Sequence, residues 1–498
     1  MARVLIRSGK DPFAAVSAEA TLAQNIFHTN VGNYLFTNAV HRALSTAGTE
    51  IVSNGTLSDL RTPEPGDAER INDQFDRFVV PLANAFRPAF EKHLVHLTAL
   101  IAGLNIPVTV VGVGAQAGAD LDASPLTTMS DTVRAFVAAV LERSTSIGVR
   151  GEFTKAYLVD LGFPAESIDV IGCPSLFTYG GSLQVHKAKD EIGPASRLAL
   201  NLSPGVPDIG PFSQRHADAY PELVYVAQDR EDLELLLYGT ALPGPLDLTT
   251  PTHMGHSLYR QDRMRMFLDG WKWIDFMATR DFVFGTRFHG NVAALLAGVP
   301  ATLLTHDSRT VELAEYHGIP HRPMGEVVSE KTDACELYDA ADFSAFNALM
   351  PMRFSTYRAF LDRNELPHIF ATGEDGANFD AHVAATVFPG PVKTLTTPSG
   401  TEIASRLRWL RDGQRFDAKT HQAAYAHPFP HPPRRDAGTK DREAAALAKR
   451  NNKELATART RITKQKADIE RLKSRLTRLE RHTLRGRLGR VKRRLLGR

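Results

Sequence analysis

The sequence predicts an α/β protein of two successive, mainly parallel sheets, followed by a basic helical C-terminal region. Three observations point there. Between about residues 20 and 390, short apolar runs alternate with stretches of helical spacing, as in layered α/β folds. The pattern breaks in a loop at about 178–195 and then restarts. Beyond residue 386 the composition turns to Pro, Gly, Thr and His, and then to a charged heptad pattern. A chain of 498 residues accommodates two or three domains. The expected boundaries are 1–190 and 191–386 for the two α/β domains and 387–440 for a linker. A coiled coil is expected at 441–483 and a basic amphipathic tail at 484–498.

Each element has a local cause. NVGNYLFTNAVHRALSTAG (30–48) is a Gly-containing loop followed by helical spacing through Leu35, Ala39, Val40 and Leu44. IPVTVVGVGAQ (106–116) is a continuous apolar run ending in glycines, the look of a parallel strand buried on both faces. TSIGVRGEFTKAYLVDLG (145–162) reads as strand, Arg-containing loop, helix and closing Gly. SIDVIGCPSLF (167–177) is a strand ending in a Gly-Cys-Pro turn. In the second half, RLALNLSPG (197–205) and PELVYVAQD (221–229) read as strands and WKWIDFMATR (271–280) as a helix. FVFGTRFHGNVAALLAGVPATLL (282–304) gives a strand, a short loop and a helix, with another strand opening at its end. THDSRTVELAEYHG (305–318) supplies a polar loop at His306, Asp307 and Ser308, then a helix and closing Gly318.

The tail differs in kind from the body. Leu455, Ile462, Ile469 and Leu476 recur every seven residues, with Ala458, Gln465, Leu472 and Leu479 between them. Four heptads argue for self-association through a coiled coil. The last segment puts Leu484, Leu488, Val491 and Leu495 on one helical face among arginines, a pattern suited to anionic lipid. Residues 440–498 hold 21 Lys+Arg and 6 Asp+Glu, a balance of +15. The net charge of +3 therefore leaves the rest of the chain at −12. An acidic body with a basic tail suggests an anionic partner; a membrane is favoured over nucleic acid.

With two cysteines, Cys173 and Cys335, no disulfide framework or cysteine zinc site is available, as in a reducing cytoplasm. The N-terminus has no apolar core of signal-peptide length, and no run reaches the ~20 apolar residues of a membrane span. A cytoplasmic protein, peripheral at the inner membrane face through its tail, is expected. No metal-spaced cluster, G-x-x-x-x-G-K-[ST] or G-x-S-x-G is present. GVGAQAG (112–118) lacks the placement of a dinucleotide fingerprint. No cofactor is expected.

Ligands of α/β sheets bind beyond the carboxyl ends of the strands. Asn30, Asn33, Gln116, Arg150, Ser175, Asn201, Arg287, His289, His306 and Asp307 fall at such ends. Gly32, Asn84, Gly290 and Asn291 complete the expected substrate-binding set. A strand-to-helix turn needs neither arginine nor histidine to fold. Arg287 precedes a helix start, where backbone N–H groups already favour an anion, and Arg150 repeats the arrangement in the first half. Two such arginines suit a small phosphate ester or phospho-carboxylate, with His289 placed to move a proton. The bland alternatives are a salt bridge from Arg150 to Glu152, and a cap or core role for His289.

These residues resemble the polysaccharide pyruvyl transferases. GTRFHGNVAALLAGVPATLL (285–304) resembles their R-x-H-G block, and SIGVRGEFTKAYLVDLGF their V-R-(D/G/E) block. VIGCPSLF and NVGNYLF resemble the segment that follows and the N-terminal N-x-G-(D/N) loop. Order and spacing match from roughly 22 to 325. The resemblance implies two Rossmann-like domains facing a cleft, in the manner of GT-B glycosyltransferases. It implies transfer of the enolpyruvyl unit of phosphoenolpyruvate to a sugar or lipid-linked glycan as a ketal. Arg287 and Arg150 are then catalytic residues that bind the donor, and His289 is the acid that protonates it; the required base has no assigned residue. Many members carry Asp where this chain has Asn33, Gly151 and Cys173. The alternatives are a GT-B glycosyltransferase using a nucleotide-sugar and a non-catalytic coiled-coil scaffold.

Overall fold

The computed structural model describes residues 1–414 except 28–29, 56, 65 and 242–246, together with Tyr425 and Phe429. The expected coiled coil at 441–483 and basic tail at 484–498 lie outside the described residues.

The first sheet holds β1 (Ala2–Ile6), β2 (Thr49–Ser53), β3 (Arg77–Pro81) and β4 (Val108–Val111), all parallel, in the order β2-β1-β3-β4. Beside it β5 (Ile147–Val149) and β6 (Ile168–Val170) pair in parallel, and a Val113–Val149 bridge continues the row from β4 to β5. The second sheet holds β7 (Leu198–Asn201), β8 (Val224–Ala227), β9 (Met264–Met266), β10 (Phe282–Gly285), β11 (Ala301–Thr305) and β12 (His321–Pro323). Its order is β12-β11-β10-β7-β8-β9, again parallel throughout. The fold is thus two Rossmann-like parallel sheets in tandem, a GT-B-like architecture.

Strand order fixes where ligands can go. In the first sheet the chain leaves β1 to one side for β2 and returns to the other for β3 and β4. In the second it leaves β7 for β8 and β9, then returns for β10, β11 and β12. Crevices open at these switch points, between β1 and β3 and between β7 and β10. Parallel strands covered on both faces need apolar side chains in both directions, and β4, β7 and β10 are buried along their whole length. The helix Phe288–Leu296 after β10 is apolar all round and buried at every residue except His289.

Of the expected linker at 387–440, residues 387–414, Tyr425 and Phe429 are described, and the rest lies outside the described residues. The helix Ser344–Arg363 returns to the first half, where Arg363 pairs with Asp169 at 3.1 Å and Asn364 donates to Ser146 Oγ at 2.9 Å. Within the segment read as linker, Val392 bridges to Met266 and residues 400–414 form a helix. The Tyr425 hydroxyl accepts from the Asp11 amide at 2.8 Å, and Phe429 packs edge-on against Phe75 at 5.3 Å. Two buried aromatics thus fasten this segment to the body. Among the described residues no helix is long and apolar enough to cross a membrane.

Candidate active site

Both switch-point crevices open into one cavity of about 630 Å³. Residues after β1, β3, β4, β5 and β6 line one side, and residues after β8, β10 and β11 the other. Among the described residues its walls carry five arginines, Arg7, Arg87, Arg150, Arg287 and Arg309, and two carboxylates, Asp59 and Asp229. Five cations less two anions leave a formal +3 facing the space. A partly desolvated cluster of this kind calls for an anion.

Arg150 follows β5 and is 3% exposed. One Nη donates to Asn84 Oδ1 at 2.9 Å. Its Nε lies 3.6 Å from Glu312 Oε1 on the helix Ser308–His317. The acid beside Arg150 is Glu312, reaching in from the second half, and not the neighbouring Glu152 of the bland alternative. The Glu312 carboxylate also accepts from the Thr154 amide at 2.9 Å, so it caps the helix Glu152–Asp160 from outside. Two glycines make room. A Cβ on Gly114 would stand 1.4 Å from Arg150 Nε, and one on Gly151 would stand 2.1 Å from Glu312 Cγ. Burial pushes the Arg150 guanidinium down to about 10 while Glu312 pulls it up; burial likewise raises the Glu312 carboxyl while Arg150 pulls it down.

Gln116, Asn84 and Asp307 form a line behind this arginine. Asp307 Oδ2 accepts from Gln116 Nε2 at 3.2 Å, and Gln116 Oε1 accepts from Asn84 Nδ2. Asn84 lines the cavity; Gln116 and Asp307 do not, so they orient rather than touch. Asp307 is also the N-cap of the helix Ser308–His317, accepting from the Thr310 amide at 2.9 Å. Burial pushes its carboxyl up, but Arg309, His306 and the Thr310 bonds carry it below the usual carboxylate range. His306 sits outside the cavity, 3.7 Å from Asp307 Oδ2.

Arg287 caps the helix Phe288–Leu296 with extended backbone and is 18% exposed. It pairs with Asp229, and its Nε donates to the Leu202 carbonyl at 3.0 Å. Burial lowers its guanidinium to about 10. Asn201 and Asn291, expected as substrate contacts, clamp the loop. Asn201 Oδ1 accepts from the Arg287 amide at 2.9 Å, and Asn291 Nδ2 donates to the Arg287 carbonyl at 2.9 Å. Gly290 lets the helix close on them, since a Cβ there would stand 2.5 Å from Asn201 Cγ.

The N-terminal loop completes this wall. Asn30 Nδ2 donates to Asp229 Oδ1 at 2.9 Å while its Oδ1 accepts from the Gly32 amide at 2.7 Å. A Cβ on Gly32 would stand 2.7 Å from His289 Nδ1, so only glycine lets the loop approach the imidazole. Asn33 lines the cavity, with its amide near the Phe27 carbonyl.

His289 is half-buried, with Nε2 3.7 Å from Cys173 Sγ. Burial, reinforced by Arg309 and Arg150, lowers its pKa to about 3, so it is neutral. Cys173 stands in the cavity wall as a thiol, pushed up to about 11 by burial. Ser175, expected to bind substrate, lies behind it, fully buried and bonded to the thiol at 3.3 Å.

The sequence reading missed Arg7, Arg87, Arg309 and Asp229. Arg309 follows the polar His306–Asp307–Ser308 loop by one residue, a signal that was available. Arg7 directly follows β1, and Arg87 lies six residues beyond the end of β3. Among the described residues no three His, Cys, Asp or Glu side chains gather as a metal site.

The family model described as polysaccharide pyruvyl transferase matches residues 30–308. No curated protein matches the chain. Among solved structures, S. aureus MnaA in its UDP co-structure is 11% identical, with TM-score 0.41 over 78% of this chain and 99% of its own. UDP-GlcNAc 2-epimerase from Neisseria meningitidis bound to UDP-GlcNAc is 13% identical, with TM-score 0.39 over 73% and 100%. Anabaena Alr3699/HepE in complex with UDP-glucose is 14% identical, with TM-score 0.38 over 73% and 99%.

Proposed function

The chain belongs to the polysaccharide pyruvyl transferase family, and from that premise we propose that it moves the enolpyruvyl unit of phosphoenolpyruvate onto a sugar as a ketal. The observation that carries this reading is the convergence of Arg150, Arg287, Arg309 and the neutral His289 on one cavity. A phospho-carboxylate offers two anionic groups to such a set, each able to take charge-assisted, bidentate bonds. Arg150 is fixed by Asn84 and Glu312 and suits the group that stays put. Arg309 and Arg287 are more open and suit the group that leaves.

The anion also changes His289. Burial and, behind it, Arg309 and Arg150 hold it neutral; the donor's charge offsets the two cations and so raises its pKa. The imidazolium then gives its proton to C3, and C2 becomes the electrophile. One sugar hydroxyl oxygen bonds to C2 as the C2–O bond to phosphate breaks, and the phosphate leaves with the electron pair. A second hydroxyl closes the ketal. Of the two hydroxyl protons, one replaces that given to C3 and the other goes to the phosphate. The arginines supply fixed charge where phosphate develops it.

The basic tail, with +15 over residues 440–498, suits an anionic membrane that carries a lipid-linked acceptor. The test is calorimetric titration of phosphoenolpyruvate into the full chain, followed by phosphate release with candidate glycans. Saturable binding is the expected result. No heat with phosphoenolpyruvate, but heat with a nucleotide-sugar, would move the assignment to glycosyl transfer.

A further inference from the structure

Among the described residues, six that line the cavity carry a buried polar side-chain atom with no hydrogen-bond partner. Three are the Nε atoms of Arg87, Arg150 and Arg309. The others are neutral: Asn25 Oδ1, the Tyr34 hydroxyl and Gln228 Nε2. Buried polar atoms are nearly always paired; Arg150 Nε has Glu312 beside it at 3.6 Å as an ion-pair partner, and the other five await one. The division by charge suggests two different partners.

The neutral three line one cavity from two adjoining segments. Asn25 ends the helix Ala18–Gln24 in the left-handed region at φ 49°. Tyr34 lies in the helix Gly32–Leu44, and Gln228 directly follows β8. The Val31 amide donates to the Gln228 carbonyl at 3.0 Å, and Asn30 bonds to Asp229, so the 25–34 loop is stapled to the end of β8. Tyr34 and Gln228 are each 2% exposed. An amide oxygen, a phenol and an amide N–H give an acceptor, a two-way group and a donor. That mixture matches neutral hydroxyls, which both give and take a hydrogen bond. It does not match a phosphate, which only accepts at neutral pH and already has the arginines. Phe27 lines the same wall and offers an apolar face beside them.

We propose that Asn25, Tyr34 and Gln228 form the acceptor subsite and take an uncharged, polyhydroxylated pyranose ring, beside the arginines that hold the anionic donor. This rests on the pyruvyl transferase reading and says where within that site the sugar sits.

The test uses the full chain in the presence of phosphoenolpyruvate and a set of neutral methyl hexopyranosides, read by saturation-transfer NMR. Tyr34→Phe and Gln228→Met are compared with wild type, and phosphoenolpyruvate affinity is measured on all three by calorimetry. At least one pyranoside is expected to bind the wild type. Its affinity should fall about 3–10-fold in each variant, the loss of one neutral hydrogen bond, with phosphoenolpyruvate affinity unchanged. Tyr34→Phe removes an unpaired hydroxyl, so its denaturation midpoint should not drop. The assignment is overturned if no pyranoside binds while phosphoenolpyruvate does, if both variants keep wild-type pyranoside affinity, or if they lose phosphoenolpyruvate affinity equally. Failure of the wild type to bind phosphoenolpyruvate removes the underlying functional reading instead.

Discussion

Arg150 and Arg287 occupy equivalent places in the two halves, each between a parallel strand and the helix that follows it. Their surroundings differ. Arg150 is sealed in, with Glu312 from the other half beside it and Asn84 on one Nη. Arg287 is partly open and paired with Asp229, which is itself 21% exposed. The same motif position therefore serves two purposes. The first arginine helps join the halves and cannot leave without exposing a buried charge. The second can turn toward a ligand at small expense to the fold.

The largest expected effect breaks the first side of this comparison. Arg150→Ala leaves Glu312 buried without its cation and should destabilise the body by about 3–5 kcal/mol. Gly114→Ala should mimic it, because the new methyl occupies the place of Arg150 Nε. Denaturant midpoints at constant m-value check both. A loss below about 1 kcal/mol in Arg150→Ala, with phosphoenolpyruvate affinity gone, would make Arg150 a ligand group with no structural role.

Arg287→Ala is expected to behave in the opposite way. Asp229 remains solvated and keeps Asn30, so stability should change by less than about 1 kcal/mol. Phosphoenolpyruvate binding should weaken by about 1.5–3 kcal/mol, roughly 10–150-fold, for one lost charge-assisted contact. Calorimetry and denaturation on the same preparation separate the two quantities. If Arg287→Ala unfolds as readily as Arg150→Ala, the contrast between the halves fails.

This contrast was only half legible in the sequence. Parallel α/β layering was readable because doubly covered strands such as Val108–Val111 and Phe282–Gly285 are unbroken apolar runs. The loop carrying Arg287 and His289 stood out because folding explains neither residue. Glu312 was not readable: it lies 162 positions from Arg150, within a helix whose spacing predicts only amphipathicity. The chain's departure at Gly151 looked like a missing acid. In three dimensions that glycine is the space Glu312 occupies. The surroundings of Asn201, Asn291 and Ser175 were unreadable for a related reason, since a polar residue at a strand end can face the ligand or brace the loop behind it. Only the fold decides which.

The smallest effect concerns His289, which feels both halves at once. It is neutral, with a pKa of about 3 set by burial and then by Arg309 and Arg150. If the donor's charge compensates those cations, the bound complex holds a proton on His289 that the free protein lacks. The bound state then carries more protons, so this contribution to affinity grows as pH falls through the bound-state pKa and ceases near 3. Its slope is at most one proton, about 1.4 kcal/mol per pH unit. Titrating in two buffers of different ionisation enthalpy counts the protons, and His289→Asn supplies the baseline set by the donor's own phosphate. Wild type should take up more protons than the variant, by a fraction of one. Equal uptake would mean that His289 stays neutral with the donor in place and gives no proton to C3; its part would then be to donate a hydrogen bond, and the acid would have to be sought elsewhere in the cavity.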